Sequence, residues 1–293
     1  MPSGQGKESG MINTVAIVGV GLIGGSFGRS LRRVGFSGEI LGVSSPGAIS
    51  AGLRAGAIST SGTLAEAAAR ADVLYVAQPV DRILVTIEQL GPLLHARSAG
   101  VLVTDAGSTK TAIVASANAL LPRNTFLGGH PLAGKEKSGV EVSDADLFVG
   151  RPYVLTPSPG FDSRLADEFR AWIERTGARL VEMSPEEHDT VVALTSHLPQ
   201  LISTSLALTL AAHPNPHTAQ VHGSGLLDMT RLALSSPDLW QSIIATNQTE
   251  ILHALDAFSD RLQMVRKAVL AGEISTPFVE ARTLGLELRR LSH

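Results

Sequence analysis

Cysteine is absent from the 293 residues, which removes disulfides, thiolate metal sites and thiol nucleophiles at once. Charge is sparse, with 17% Asp, Glu, Lys or Arg against 44% hydrophobic residues. The net charge is −3 and both signs are dispersed, so the sequence lacks the basic stripe that nucleic acid or an anionic membrane selects. No uninterrupted apolar run reaches the ~20 residues that span a bilayer. The segment Met1–Gly10 is polar and glycine-rich, without the apolar core of a signal peptide. The expectation is a cytoplasmic globular protein with a disordered tail over residues 1–12. Its length suffices for two domains, each with its own core.

The first domain announces itself early. Asn13 to Gly19 is a short apolar run ending in glycine, suited to a central parallel strand. It runs into Gly19-Val20-Gly21-Leu22-Ile23-Gly24, and then into helical sequence over Phe27–Val34. A GxGxxG between strand and helix is the dinucleotide-binding signature. Gly19 makes the tight turn, Gly21 admits the pyrophosphate to the backbone, and Gly24 allows close packing behind it, while the helix N-terminus faces the phosphates. The second strand, Glu39–Val43, ends at Ser44 and Ser45, where NAD-binding units usually carry an acid for the ribose hydroxyls. With no carboxylate to repel a 2′-phosphate, this end tilts towards NADP or dual use of NAD and NADP. Arg32, Arg33 and Arg54 are the cations that could fold over it.

The α/β alternation continues. Leu64–Arg70 reads as a helix and Asp72–Ala77 as a strand that leads to Gln78 and Pro79. Ile83–Leu90 is a further helix, and Val101–Thr104 is a strand running into Asp105-Ala106-Gly107-Ser108-Thr109-Lys110 and a helix through Leu120. Thr125–Leu127 enters Gly128-Gly129-His130-Pro131-Leu132-Ala133-Gly134, where glycines let the backbone approach a ligand and Pro131 keeps His130 extended. The glycine loop, Gln78–Pro79, Asp105–Lys110 and His130 therefore gather at the C-terminal edge of one sheet, where open α/β folds bind ligands. Lys135 to Asp146 reads as a surface loop, Tyr153–Leu155 as a strand, Asp162–Thr176 as an amphipathic helix and Arg179–Met183 as a last strand.

Beyond this the pattern changes. Ser184-Pro185-Glu186-Glu187 is a strong helix start, and helical sequence follows to Ala212 with a kink at Pro199. His213-Pro214-Asn215-Pro216-His217 is a break, Ser236–Asp238 starts a long helix to about Ala271, and Thr276-Pro277 opens the last one. The expected fold is a Rossmann-type α/β domain over 13–184 and an all-α domain over 185–293. His197 and Gln200, three residues apart on an apolar helix, share a face and need polar partners. Arg231 stands in another apolar neighbourhood, where a buried guanidinium needs an anion, either Asp228 or a ligand carboxylate. His213, His217 and His222 have proline-broken spacing and no neighbouring carboxylate, so no metal site is expected.

Taken in order, the Gly19–Gly24 loop, Asp105–Lys110, Gly129–Gly134, Ser196-His197-Leu198-Pro199 and Asp228-Met229-Thr230-Arg231 with Trp240 resemble the prephenate/arogenate dehydrogenase family of tyrosine biosynthesis. The resemblance runs from Val15 to about Leu255. It implies an NAD(P)-dependent oxidative decarboxylation of prephenate, with arogenate as the alternative substrate. It also implies that His130 is the general base and that Ser108 bonds the same ring hydroxyl or His130. Arg231 would hold a substrate carboxylate, and His197 and Glu136 would complete the polar wall. Many relatives carry a histidine where this chain has Gln200, a position associated with substrate binding, which leaves prephenate versus arogenate open. A homodimer through the helical domain is implied, without a carboxy-terminal regulatory domain or a fused mutase. A β-hydroxyacid dehydrogenase would need a catalytic lysine early in the helical domain, and Met183–Ala212 contains none. A non-catalytic dinucleotide sensor leaves His130, Ser108, His197 and Arg231 without a reason to be there.

Overall fold

The computed structural model describes residues 12–291, so the tail expected over residues 1–12 falls almost wholly outside the described residues. The chain begins β1 (Thr14–Val18), α1 (Leu22–Arg33), β2 (Glu39–Val43), α2 (Pro46–Arg54), β3 (Thr60–Ser61) and α3 (Leu64–Arg70). It continues β4 (Val73–Val76), α4 (Val80–His95), β5 (Leu102–Asp105), α5 (Thr111–Leu120), β6 (Phe126–Pro131), β7 (Pro152–Thr156), α6 (Arg164–Arg175) and β8 (Arg179–Glu182). These strands form one eight-stranded sheet in the order β3-β2-β1-β4-β5-β6-β7-β8.

The pairings from β3 through β6 are all parallel, and β7 runs antiparallel to β6. The order reverses between β1 and β4, which opens a crevice at their C-terminal ends. Apolar residues point to both faces of the central strands because helices cover both. On one face Phe27 of α1 stacks on Tyr75 of β4, with ring centroids 4.0 Å apart, and Phe169 of α6 and Tyr153 of β7 join the same cluster. On the other face Ile83, Ile87 and Leu90 of α4 pack with Ile113 and Val114 of α5.

Several boundaries differ from the sequence reading. The helix expected from Phe27 starts at Leu22, because the glycines Gly24, Gly25 and Gly28 that mask its periodicity are its packing face. The two-residue β3 carries no pattern to detect. The reversal of β7 is equally invisible, since apolar runs record burial and not direction.

After β8 every described element is helical: α7 (Pro185–Val192), α8 (Leu198–Ala212), α9 (Thr218–Val221), α10 (Ser224–Thr230), α11 (Pro237–Thr246), α12 (Gln248–Ala271) and α13 (Ser275–Leu291). Ser184 caps α7 by accepting from Glu187 N at 3.0 Å, with Pro185 in the first turn. Between α7 and α8, Ala193–His197 forms a π-helical turn. Pro199 has no N–H for the preceding turn, and the backbone widens there instead of continuing the α-helix. The long helix expected from Ser236 to Ala271 is broken at Asn247, whose φ of −132° separates α11 from α12. By length and composition the stretch Pro185–Ala212 is long and apolar enough to cross a membrane, and it carries Glu186, Glu187, His188 and Asp189 at its start.

A Cβ placed on Gly24 would lie 2.1 Å from Gly19 O and 2.8 Å from Ile17 Cγ2. Gly24→Ala should therefore destabilise the protein by about 1–3 kcal/mol, the usual range for overpacking. Urea unfolding checks this, and an unchanged midpoint would show that the turn yields freely.

Candidate active site

The glycine loop has the geometry its spacing implies. Gly19 has a φ of +99°, and a Cβ there would stand 2.3 Å from Ala77 O at the end of the neighbouring β4. A Cβ on Gly21 would meet no atom within 4 Å. Open space beside the first turn of α1, whose leading N–H groups have no partner within the helix, suits a dinucleotide pyrophosphate. Leu22 and Ile23 form that first turn. Gln78 stands half-buried across the crevice with its Oε1 accepting from Thr86 Oγ1 at 2.7 Å, and the exposed Pro79 precedes α4.

At the end of β2, Ser44 and Ser45 are exposed, and Ser45 caps α2 through Ala48 N. The cations expected to fold over them do not do so. Arg32 donates to Phe36 O and Gly38 O, at 2.7 and 2.8 Å. Arg33 donates to Ala145 O and Thr176 O and pairs with Asp146. Arg54 lies in the last turn of α2, bonded to Ser50, roughly 12 Å along the helix from its start. Each of these guanidiniums has acceptors nearby that hold it away from the ribose end of the crevice.

The loop after β5 is built on a fully buried ion pair between Lys110 Nζ and Asp105 Oδ2. Asp105 is not a loop residue facing a ligand. Its Oδ2 accepts from Gly107 N at 2.8 Å and its Oδ1 from Gly129 N at 3.0 Å. Lys110 Nζ donates in turn to Gly129 O at 2.8 Å. The pair thus grips both backbone groups of the residue preceding His130. Position 129 must be glycine, since a Cβ there would lie 2.7 Å from Asp105 O. Burial lowers the Lys110 ammonium from its usual range, opposed by the adjoining carboxylate. Ser108 is half-buried on this loop and makes no hydrogen bond to His130.

His130, near the end of β6, is 9% exposed and joins His188 through Nδ1···Nε2 at 2.8 Å. His188 Nδ1 lies 2.8 Å from Asp189 Oδ1. Burial, followed by the electrostatic influence of His188, Lys110 and His197 beside it, pushes His130 well below the usual histidine range. Asp189 accepts from Lys110 N and Thr111 N, at 2.7 and 2.9 Å, at the start of α5. Burial opposes its ionisation, but hydrogen bonds from His188, Thr111 and Lys110 outweigh burial and hold its carboxyl low. His188 and Asp189 escape a reading by sequence because in Pro185–Val192 they resemble the polar face of an amphipathic helix. The signal that was present is a His-Asp pair on the first turns of the first helix after the sheet.

His197 ends the π-helical turn, buried, with Nδ1 3.3 Å from Asn247 Nδ2 and its ring edge-on to Trp240 at 5.8 Å. Burial drives its pKa down to about 4. Gln200 is also buried, but its partners differ: Nε2 donates to Leu232 O at 2.7 Å and Oε1 accepts from Ser235 Oγ at 3.1 Å. It ties α8 to the segment that starts at Arg231. Arg231 is not buried and does not pair with Asp228. It opens a 3-10 turn just past α10, its side chain is 56% exposed, and it stands 3.8 Å from Glu136 of the loop after β6. The two candidates for contact with an anionic substrate thus face each other from opposite halves of the chain. His213, His217 and His222 are exposed and bond to Thr209 O, Gln220 and Ala219 O respectively.

A parallel sheet with a glycine loop at its crossover, a neutral histidine at the same edge and a helical half closing the cleft define a dinucleotide-dependent oxidoreductase. A family profile described as prephenate dehydrogenase, nucleotide-binding domain, matches residues 27–182, and one described as prephenate dehydrogenase, dimerization domain, matches residues 184–280. The chain belongs to the prephenate dehydrogenase family. It is 34% identical to the prephenate dehydrogenase of Bacillus subtilis over 267 residues, which span 88% of this chain and 71% of that one. It is 29% identical to the cyclohexadienyl dehydrogenase of Zymomonas mobilis, over 87% of this chain and 88% of that one. The crystal structure of prephenate dehydrogenase from A. aeolicus, in complex with hydroxyphenyl propionate and NAD+, superposes with a TM-score of 0.88 at 32% identity, covering 96% of this chain and 100% of that one. The arogenate dehydrogenase of Synechocystis superposes with a TM-score of 0.79 at 28% identity, covering 95% and 99%.

Asn247 links the elements of the helical half, donating to Asp189 O at 2.8 Å as well as to His197. Asn247→Ala should lower stability by about 1–3 kcal/mol, the usual effect of orphaning buried acceptors. Denaturant unfolding measures the loss, and wild-type stability in the variant would mean the bonds to His197 and Asp189 carry none of it.

Proposed function

We propose that the chain is an NAD(P)-dependent prephenate dehydrogenase, with residues 13–184 holding the cofactor and residues 185–293 closing over the substrate. One observation carries the reading. His130 is held neutral at the sheet edge that bears the glycine loop, and only its Nδ1 has a partner among the described residues. Among the described residues the buried side-chain atoms lacking a partner are Arg97 Nε, Thr104 Oγ1 and Thr156 Oγ1, so the unbonded Nε2 of His130 is one that solvent reaches. A neutral imidazole with an accessible Nε2 is a general base.

The chemistry divides among named groups. A nicotinamide cofactor held at the glycine loop of Gly19, Gly21 and Gly24 would supply the acceptor for the hydride from the ring carbon that carries the hydroxyl. His130 Nε2 takes the hydroxyl proton, and Ser108 on the adjoining loop orients that hydroxyl. The bond to the ring carboxylate breaks, CO₂ departs, and its electron pair completes the aromatic ring. Arg231 receives a substrate carboxylate, exchanging it for the exposed and weakly held Glu136. His197, neutral near pH 7, supplies a polar wall without repelling or neutralising charge. Gln200 acts on the substrate through the Arg231–Ser235 segment that it anchors. Asp105 acts likewise, by fixing the loop and strand on which Ser108 and His130 ride.

The family of the helical half supports a homodimer, and so do the exposed apolar side chains Leu262, Val269 and Leu270 of α12 and Phe278, Val279 and Leu286 of α13. The absence of an acid at Ser44 supports acceptance of NADP beside NAD. A spectrophotometric assay of prephenate and arogenate, each with NAD and NADP, tests both specificities. The expected result is turnover of prephenate with either cofactor, and exclusive use of arogenate or of NAD would overturn the corresponding part.

His130→Asn should lower kcat on the order of 10²–10⁴-fold with cofactor affinity retained. Unchanged turnover would remove His130 from the reaction. The pH profile follows from the lowered pKa of His130. The base form persists as pH falls through 6.5, so the acid limb of kcat/KM should lie below that value, and a limb above 6.5 would contradict the assignment.

A further inference from the structure

The polarity of the hydrogen-bond chain behind His130 is set by its far end. Asp189 is a carboxylate that receives three hydrogen bonds, from Lys110 N, Thr111 N and the His188 ring. A carboxylate with those partners can only accept, so His188 Nδ1 must carry the proton it shares with Asp189 Oδ1. With that proton as the ring's only one, His188 Nε2 is an acceptor. The 2.8 Å contact between the two rings then requires His130 Nδ1 to be the donor. The remaining nitrogen of His130, Nε2, holds the lone pair.

We propose that His188 and Asp189 are positioning residues that lock His130 in the Nδ1–H tautomer, so that its Nε2 alone is basic and faces the cleft. The inference rests on the reading of His130 as the base and adds how that base is prepared. Without the lock an imidazole distributes its proton between both nitrogens, and the fraction protonated on Nε2 presents a donor where an acceptor is needed. The lock comes from the other half of the chain. His188 and Asp189 lie on α7, whereas Asp189 is pinned by the start of α5 and His130 belongs to β6. The orientation of the base therefore exists only while α7 is docked on α5.

The step keeps its protons in place. When Nε2 takes the substrate proton, His130 becomes an imidazolium still donating Nδ1–H to His188, and no proton moves on to Asp189. The other ionisable groups around the imidazole are Lys110 and Asp105 on the loop after β5, His197 on the π-helical turn, and Tyr153 on β7 beside Gly129. Lys110 and Asp105 neutralise each other, His197 is neutral, and burial raises the Tyr153 hydroxyl well above its usual range. Asp189 is left as the anion that answers the new charge, through His188.

The test uses the full-length enzyme in two arms. In long-range proton–nitrogen NMR of protein labelled with ¹⁵N-histidine, the His130 signals are identified among nine histidines by their loss in His130→Asn. The expected spectrum shows His130 as the Nδ1–H tautomer, and a dominant Nε2–H form would overturn the proposal whatever the kinetics. In the second arm, His188→Phe removes the acceptor and should lower kcat on the order of 10²-fold while leaving the cofactor KM within about twofold. His188→Gln, whose amide oxygen can accept from Nδ1, should recover turnover to within about tenfold of wild type and keep the tautomer. Equal losses in the two variants would mean that His188 only fills space. Full turnover in His130→Asn would overturn the assignment of the base itself, a failure the NMR arm separates from failure of the lock.

Discussion

The buried pair of Lys110 and Asp105 is the contact on which the architecture of the cleft depends. Neither charge is exposed, and between them they bond the backbone of Gly107 on the loop and both sides of Gly129 on the next strand. Buried ion pairs stabilise little on balance, but deleting one partner costs about 3–5 kcal/mol because the other charge is stranded. The pair is therefore better understood as a fixing device than as a source of stability. It locks the end of β6 to the loop after β5, and the side chain that follows Gly129 is His130.

From that fixed edge the site grows outward through hydrogen bonds that cross between the halves of the chain. Asp189 of α7 meets the start of α5, and Thr109 meets Thr246 at 2.8 Å. The π-helical turn before Pro199 sets His197 against Asn247 and Trp240. Gln200 carries the connection on to the segment of Arg231. Each link is a polar group in an apolar setting, where an unmade bond is expensive, so the arrangement has few alternatives. The helical half is held by its chemistry as much as by its packing.

How much of this was legible depended on whether the relevant constraint was local. Gly19, Gly21 and Gly24 were readable because strand, turn and helix are consecutive, and the space around each glycine corresponds to its place in the motif. The convergence of four strand-end loops was readable from alternation alone, since parallel strands present their C-termini to one side. The reversal of β7 was not, because burial patterns carry no direction. Arg231 was misjudged because apolar neighbours in sequence imply burial only if the surrounding surface is covered, and in this chain Leu227, Met229 and Leu234 are themselves exposed. Asn247 was hidden inside a stretch whose periodicity passes through it unbroken. His188 and Asp189 were hidden by adjacency, since their partners lie 58 and 79 residues away.

The contacts of Asp189 bear on how this architecture can be recombined. A carboxylate from one half of the chain caps two backbone N–H groups at the head of a helix in the other, and the same carboxylate sits behind the ring of His188. Exchanging the helical half between relatives would thus transplant the groups behind His130 along with His197 and Arg231. A hybrid that packed well but shifted α7 by a fraction of a turn would keep its glycine loop intact. It would still lose the alignment of the His130 ring. The inherited unit in such a protein is the seam, and variation is free only on the surfaces that the seam does not touch.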